Sequence, residues 1–351
     1  LELTNQRYSG PALGPYLDKY VKLAVESIKK SGKMAVVISG LDDVDSQETV
    51  LMINEFINSD AFDITSPRLI YQASDSDLLN TIDELKSGNI SGIITAGVNP
   101  GYTLPSSDEF LELVNKLEFS LCFTMKEDET ANSCKYLAAT PHYLESWGDY
   151  EFKTGHYYLS QPTIKPLFDT NQFQDIILAL TGSSNNFYDE IKINWRTNIL
   201  KGKTWGKSLQ DGFYYSYENT APRRIKTSLN LDNLPSENND ELELILYTKI
   251  GLGDGQQSSN PWLQEFPDPI TRVSWDNYLT VSYKDAERLG LKNYNVSNGA
   301  LNGSYVNVSN DKNNIKVPVI IQPGQTPGTV GLALGYGKTQ AMSVEMNVGV
   351  N

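Results

Sequence analysis

Cysteine and histidine are nearly missing from these 351 residues: Cys122 and Cys134 are the two thiols, His142 and His156 the two imidazoles. A four-iron cluster takes four thiolates, so this chain cannot hold one in the usual way. Two cysteines and two histidines also leave little scope for a structural zinc site. A hydrolytic triad is equally poorly served, and no Gly-x-Ser-x-Gly elbow occurs. The thiol count permits one disulfide, but nothing in the spacing of Cys122 and Cys134 brings them together, and separate buried thiols are the expectation. Long apolar runs are absent too. No stretch of about 18 apolar residues is present, so no direct membrane span is expected, and no signal-peptide pattern opens the chain. Basic residues are outnumbered, 29 Lys and Arg against 43 Asp and Glu, for a net charge of −14. Phosphate backbones and anionic lipid would be repelled, which excludes nucleic acid as a partner. Solubility explains the charge first, and an acidic docking face for a cationic redox partner second.

What is present is enough for two domains and a third segment. Hydrophobic residues make up 39% and charged residues 21%, the composition of a chain with sizeable cores. Leu1 is no initiator and the chain stops at Asn351 without a terminal signal, so a fragment of a longer protein is expected. From about Ser31 to Thr140, apolar runs alternate with helical patterns. Met34–Gly40, Arg68–Gln72, Ile90–Ala96, Phe119–Met125 and Tyr136–Ala139 read as strands of a parallel sheet. The helices between them begin at Ser46, Asp77 and Ser107. This is a doubly wound, mostly parallel α/β pattern, whose strand-to-helix loops share one sheet edge where ligands bind. A less regular segment follows, with a helix at Phe173–Leu180, and Ser228–Asn239 reads as a boundary. Beyond it, strands at Glu241–Thr248, Trp275–Val281, Ser304–Val308 and Lys316–Ile321, with a helix at Lys284–Leu289, suggest a compact β-barrel. The expected division is 1–168, 169–239 and 240–351.

Single motifs are weak. Gly97-Val98-Asn99-Pro100 follows the third strand and suits either a pterin or nucleotide edge, or an ordinary Asn-Pro turn. His142 and Glu145, three apart, could serve a metal or acid–base chemistry if helical, but Pro141 and Gly148 favour a loop held by the carboxylate. Gly251-Leu252-Gly253-Asp254-Gly255 lacks the Lys-Ser/Thr of a phosphate loop, which leaves a free-standing nucleotide enzyme without its main feature. The four Asn-x-Ser sequons are explained by an Asn-rich composition.

The ordered set carries more. Gly97-Val98-Asn99-Pro100 resembles the Gly-x-Asn-Pro loop of molybdopterin oxidoreductases of the dimethyl-sulfoxide-reductase family. Glu129-Thr130-Ala131 through Asp149 resembles that family's following segment. His142-Tyr143-Leu144-Glu145-Ser146-Trp147-Gly148-Asp149 with Gln161-Pro162 and Pro166-Leu167 is similar to a narrower form, the molybdopterin-like half of the large fused iron–sulfur subunit of alternative complex III. Trp262-Leu263-Gln264-Glu265-Phe266-Pro267-Asp268-Pro269 and Trp275-Asp276-Asn277 look like a signature of the same subunit. Pro323-Gly324-Gln325-Thr326-Pro327-Gly328 resembles the family's C-terminal double-psi β-barrel. The resemblance runs from about Met34 to the end and is weak between Thr181 and Glu241. Where catalytic relatives carry Ala-Asp, this chain has Cys134-Lys135-Tyr136-Leu137.

The resemblance implies cofactor-facing positions at Gly97, Asn99, Pro100, Glu145, Asp268 and Asn277, vestigial in the non-catalytic subfamily, with no catalytic or metal-ligating residue in this fragment. It implies an inactive scaffold among the subunits of a membrane-attached, quinol-oxidising respiratory complex, at the periplasmic face of the bacterial cytoplasmic membrane. Iron–sulfur clusters would belong to a downstream domain. The rival implication is a fragment of a true molybdoenzyme whose intact form binds molybdopterin guanine dinucleotide.

Overall fold

The structure is a computed structural model that describes residues 14–41, 43–70, 73–216, 242–310 and 313–339. Its helices in chain order are α1 (Pro15–Ser31), α2 (Val44–Phe56), α3 (Asp75–Lys86), α4 (Pro100–Thr103), α5 (Ser107–Lys116), α6 (Glu129–Ser133), α7 (Phe173–Leu180), α8 (Phe187–Asn194), α9 (Trp205–Asp211), α10 (Pro261–Glu265) and α11 (Tyr283–Leu289). The strands are β1 (Gly92–Ala96), β2 (Phe119–Thr124), β3 (Tyr136–Ala139), β4 (Gly148–Lys153), β5 (His156–Ser160), β6 (Phe213–Tyr215), β7 (Glu243–Thr248), β8 (Leu279–Val281), β9 (Asn293–Asn295), β10 (Leu301–Gly303), β11 (Tyr305–Ser309), β12 (Asn314–Ile321) and β13 (Thr329–Leu334). The chain passes repeatedly between two compact units. One comprises Leu1–Ala73, Trp147–Pro162 and Asn185–Asn238, the other Ser74–Ser146, Thr163–Ser184 and Asn239–Asn351.

In the first unit β4, β5 and β6 form an antiparallel sheet. Ile191, Trp195, Ile199 and Trp205 make its core, with the two indoles edge to face at 6.0 Å. Trp195 is fully buried, so its N–H needs a partner. Asp149 accepts it at 3.0 Å, and Trp147 lies 4.6 Å from the Tyr188 ring. The Trp147-Gly148-Asp149 motif is thus a packing element of this core.

The second unit holds the parallel sheet β1-β2-β3. α3 and α5 cover it by burying Leu85, Phe110 and Val114 with Leu117 against Ile90 and Ile93. Each such side chain contributes about 1.5–3 kcal/mol when fully removed from water. The unit also holds the two-stranded β9-β10 sheet and a five-stranded mixed sheet in the order β11-β12-β8-β13-β7. Leu279, Val281, Val317, Val319, Val330 and Leu332 pack it against Ala286 of α11.

The α/β class holds, with three corrections. Met34–Gly40 makes no strand among the described residues. Its backbone is extended, but Asn54 of α2 takes both the N–H and the C=O of Val37, each at 2.8 Å, and Ser59 takes the carbonyl of Ala35 at 2.6 Å. Side chains there occupy the groups a neighbouring strand would use. The helix expected to start at Ser46 starts earlier, because Asp43 accepts from the Ser46 N–H at 2.7 Å and caps α2. Finally, in place of a closed barrel the described C-terminal strands form an open five-stranded sheet, with β9 and β10 paired apart from it. β11 and β7 remain its two edges, and β7 exposes Leu244, Ile245 and Leu246. The boundary Ser228–Asn239 and the terminal residues Val348–Asn351 lie outside the described residues, as do Tyr71 and Gln72 of the second expected strand, whose Arg68 makes an isolated bridge to Lys153.

Candidate functional site

Because β1 and β2 are parallel, the loops leaving their carboxyl ends meet side by side. Gly97 prolongs the ladder by donating to the Phe123 carbonyl at 3.1 Å. It then turns with φ +66°, a conformation that favours glycine, with open space where a Cβ would be. Pro100 sits at the first position of α4, where its missing N–H costs nothing. Asn99 does not cap that helix with its side chain. Its Nδ2 donates to Glu129 Oε2 at 2.7 Å, and its Oδ1 accepts from the Thr130 N–H at 3.2 Å and hydroxyl at 2.7 Å. Glu129, 4% exposed, uses its other oxygen to accept the backbone N–H of Thr339 at 2.8 Å. Thr130 is saturated as well, its hydroxyl accepting from the Gly101 N–H at 2.9 Å. The loop, the start of α6 and the segment after β13 are therefore one hydrogen-bonded bolt.

Beside the bolt lies a buried cationic and aromatic cluster. Tyr102 donates its hydroxyl to the Tyr336 carbonyl at 3.0 Å, and Lys338 sits 4.3 Å from the Tyr102 ring centre. Lys249 lies between the rings of Tyr278 and Tyr336, at 4.2 and 4.8 Å, and donates to the Tyr336 hydroxyl at 2.8 Å. Burial pulls the Lys249 amine down to about 8, against the opposing pull of Asp268 and Asp276. Burial likewise lowers Lys338, pushes Tyr102 up to about 12 and raises Tyr278 and Tyr336. A shallow cleft opens next to Lys249, lined also by Gln264, Phe266, Asp268, Trp275 and Tyr336.

The other expected positions face their own chain. Asp268 Oδ1 accepts from the N–H groups of Ile270 at 3.0 Å and Thr271 at 2.8 Å. Burial raises its pKa, but these bonds outweigh burial and leave it lowered. Asn277 donates to the Ala333 carbonyl at 2.9 Å and accepts from the Tyr278 N–H at 3.0 Å, which ties it to β13. Glu145 closes a capping box with His142, accepting its N–H at 2.8 Å, and also accepts from the Leu167 N–H at 3.0 Å. His142 and Glu145 form a loop clamp and not an acid–base pair. Among the described residues, no three His, Cys, Asp or Glu side chains are grouped to hold a metal ion.

Gly97, Asn99 and Pro100 are brought next to Glu129, and Asp268 next to Lys249, while Glu145 belongs to a separate loop. Against a dinucleotide pterin this arrangement fits poorly. The polar atoms of Asn99 are engaged by Glu129 and Thr130 and those of Asn277 by backbone, and the cleft beside Lys249 encloses room for no more than about one water. Cys122 and Cys134 are both free thiols, the first buried and the second half-buried; the neighbouring Cys134 side chain holds Cys122 down at about 7, and Cys122 pushes Cys134 up. Lys249, Tyr336 and Lys338 carry no signal in the sequence, and Glu129 enters only as the start of a motif with no role of its own. Each is a charged or aromatic residue whose burial depends on segments distant along the chain.

The fold is shared with acetylene hydratase from Pelobacter acetylenicus at a TM-score of 0.51 and 14% identity, over 76% of this chain and 41% of that one. In sequence, the chain is 26% identical over 255 residues to the menaquinone reductase, molybdopterin-binding-like subunit, of Nitratidesulfovibrio vulgaris. The match covers 69% of this chain and 35% of that protein, so the chain spans about a third of its relative's length. No family profile matches. The resemblance to molybdopterin oxidoreductases is thus carried by sequence and fold alike.

Proposed function

We propose that this chain is the non-catalytic, molybdopterin-oxidoreductase-like part of a scaffold subunit in a membrane-attached, quinone-linked electron-transfer complex. The observation that carries this reading is the bolt: the Asn99 amide is spent on Glu129 and Thr130, and Glu129 on Thr339. The name of the N. vulgaris relative supports it, being that of a molybdopterin-binding-like subunit of a menaquinone reductase. Because that name gives quinone reduction and the sequence resemblance pointed to quinol oxidation, the proposal is limited to quinone-linked transfer, with alternative complex III as the nearest analogue. In this reading the partners are other respiratory subunits, the location is the periplasmic face, and iron–sulfur clusters belong to a downstream domain. Molybdenum and pterin analysis of the full-length protein tests it. Stoichiometric molybdenum would overturn the scaffold reading.

A true molybdoenzyme is the rival, favoured by one feature: Gly97 keeps its left-handed turn with open space beside it. If the intact protein carries pterin and loses it on Asn99→Ala while remaining folded, the rival is correct.

A further inference from the structure

The extended residues 35–40, between α1 and α2, have one backbone edge filled and the other empty. In an extended chain the N–H and C=O of one residue point to one edge and those of the next residue to the other. Ala35, Val37 and Ser39 share the first edge, and side chains satisfy it. Ser59 donates to the Ala35 carbonyl at 2.6 Å, Asn54 takes both groups of Val37 at 2.8 Å, and Gln47 donates to the Ser39 carbonyl at 3.3 Å. Val36 and Ile38 share the second edge, and no described residue bonds their N–H or C=O groups. Exposure alternates in step. Val36 is 45% and Ile38 84% exposed, while Ala35, Val37 and Ser39 are half-buried. The preceding helix α1 buries none of its residues and leaves Leu17, Tyr20 and Val21 exposed. Open strand edges are ordinarily blunted by Lys, Pro or a bulge. Residues 35–41 contain neither Lys nor Pro.

We propose that residues 35–40 are a docking strand, completed in the full-length protein by an extended segment of the same polypeptide that lies outside this sequence. That segment pairs with the open edge and covers Val36 and Ile38. The chemistry of the edge selects the occupant. Its free N–H and C=O groups recur every second residue, about 6.6–6.8 Å apart, a repeat that another strand's backbone matches and a helix does not. The side chains beside them are apolar, so the occupant carries apolar residues on the side that meets Val36 and Ile38. The length of the relative points to the source. This chain spans 35% of it, which leaves a large share of a longer polypeptide to supply the strand. A covalently attached segment meets the edge at high effective concentration, whereas a separate partner loses translational and rotational freedom on binding. A second copy is disfavoured further by charge, since each copy carries −14. The inference rests on the chain being part of a longer polypeptide and not on the scaffold reading, which the molybdenum analysis tests separately.

The test is amide hydrogen exchange on the full-length protein, resolved to single residues by mass spectrometry with electron-transfer fragmentation. The Val37 N–H, held by Asn54, is the internal reference. The expected result is that Val36 and Ile38 exchange at least about 100-fold more slowly than an unstructured peptide, as Val37 does. Free-peptide rates at Val36 and Ile38, with Val37 protected or not, would overturn the proposal. The occupant is identified by placing the photo-cross-linker benzoylphenylalanine at Ile38, a side chain exposed enough to be replaced without disturbing packing. Irradiation should join it to a peptide of the same polypeptide outside these 351 residues, at the mass of one chain. A cross-link within the 351 residues, to a second copy or to another subunit, or no cross-link at all, would refute the assignment. If the Ile38 variant misfolds, the same probe at Val36 gives the same readout, and the exchange measurement on the wild type decides whether the edge is paired.

Discussion

Asn99→Ala is the perturbation that most directly separates a structural loop from a ligand loop. The substitution deletes one hydrogen bond to a buried carboxylate and two accepted from Thr130. Bonds to charged groups contribute about 1.5–3 kcal/mol and neutral ones about 1 kcal/mol each. Part of the neutral contribution is recoverable, because Asn99 is half-buried and water can reach the vacated space. The Glu129 oxygen is less easily rehydrated, since that residue is 4% exposed. A net loss of about 3 kcal/mol follows. Urea unfolding of the fragment should record it as a lower midpoint with an unchanged slope, since the same surface is exposed on unfolding. Thr339→Ala is the calibrating variant, because its backbone N–H still reaches Glu129 and the cost should stay below about 1 kcal/mol. A loss under about 1 kcal/mol for Asn99→Ala would refute the bolt and, with it, the observation on which the scaffold reading rests.

Two further changes test the neighbouring cluster. Lys249 titrates near 8 when folded against an ordinary value of 10.5, so the unfolded chain binds more protons between those values and stability should rise with pH across that window, by roughly 2–3 kcal/mol. The raised tyrosines reverse the trend above about pH 10, where the unfolded chain loses phenolic protons that the folded one keeps. Urea midpoints from about pH 7 to 10 should climb in the wild type and climb distinctly less in Lys249→Met; parallel curves would reject the burial argument. Gly255→Ala should be severely destabilising, because Gly255 has φ +95° and its added Cβ would lie 2.5 Å from Gly335 Cα, a backbone atom that cannot swing away. A circular-dichroism melt within a few degrees of wild type would contradict that close approach.

Local chemistry made much of the fold readable. Phe173–Leu180 is the helix α7 as its apolar pattern predicts, and the β1 run carries the Gly97 and Asn99-Pro100 punctuation that follows a parallel strand. What misled was chemistry supplied from elsewhere in the chain. Met34–Gly40 has the composition of a buried strand, yet its hydrogen bonds go to Asn54 and Ser59, 17 and 24 residues away from the groups they satisfy. Asp43 and Ser46 are both good caps, and only the backbone direction decides that Asp43 accepts and Ser46 donates. Lys249 and Lys338 look like surface residues in any one-dimensional reading. The aromatic walls that bury them come from Tyr278, Tyr336 and Tyr102, the last far upstream of Lys338 in sequence.

The site shows the same division between backbone and side chain. Gly97 and Pro100 satisfy requirements of the turn itself: a positive φ leaving β1, and a first helical residue without an N–H. These requirements hold whether or not a ligand sits beyond the loop, so the motif alone cannot report occupancy. Asn99, Glu145, Asp268 and Asn277 carry the groups that could report it. In each case the carboxylate or amide is turned inward, onto Glu129 and Thr130, onto His142 and Leu167, onto the 268–271 turn, or onto β13. A pterin would have to outcompete these partners one by one, leaving the half-buried N–H groups of Thr130, Thr271 and Tyr278 without their acceptors, at up to about 1 kcal/mol each. The same residues that make the chain resemble a cofactor-binding family are therefore the ones that make cofactor entry costly in this arrangement.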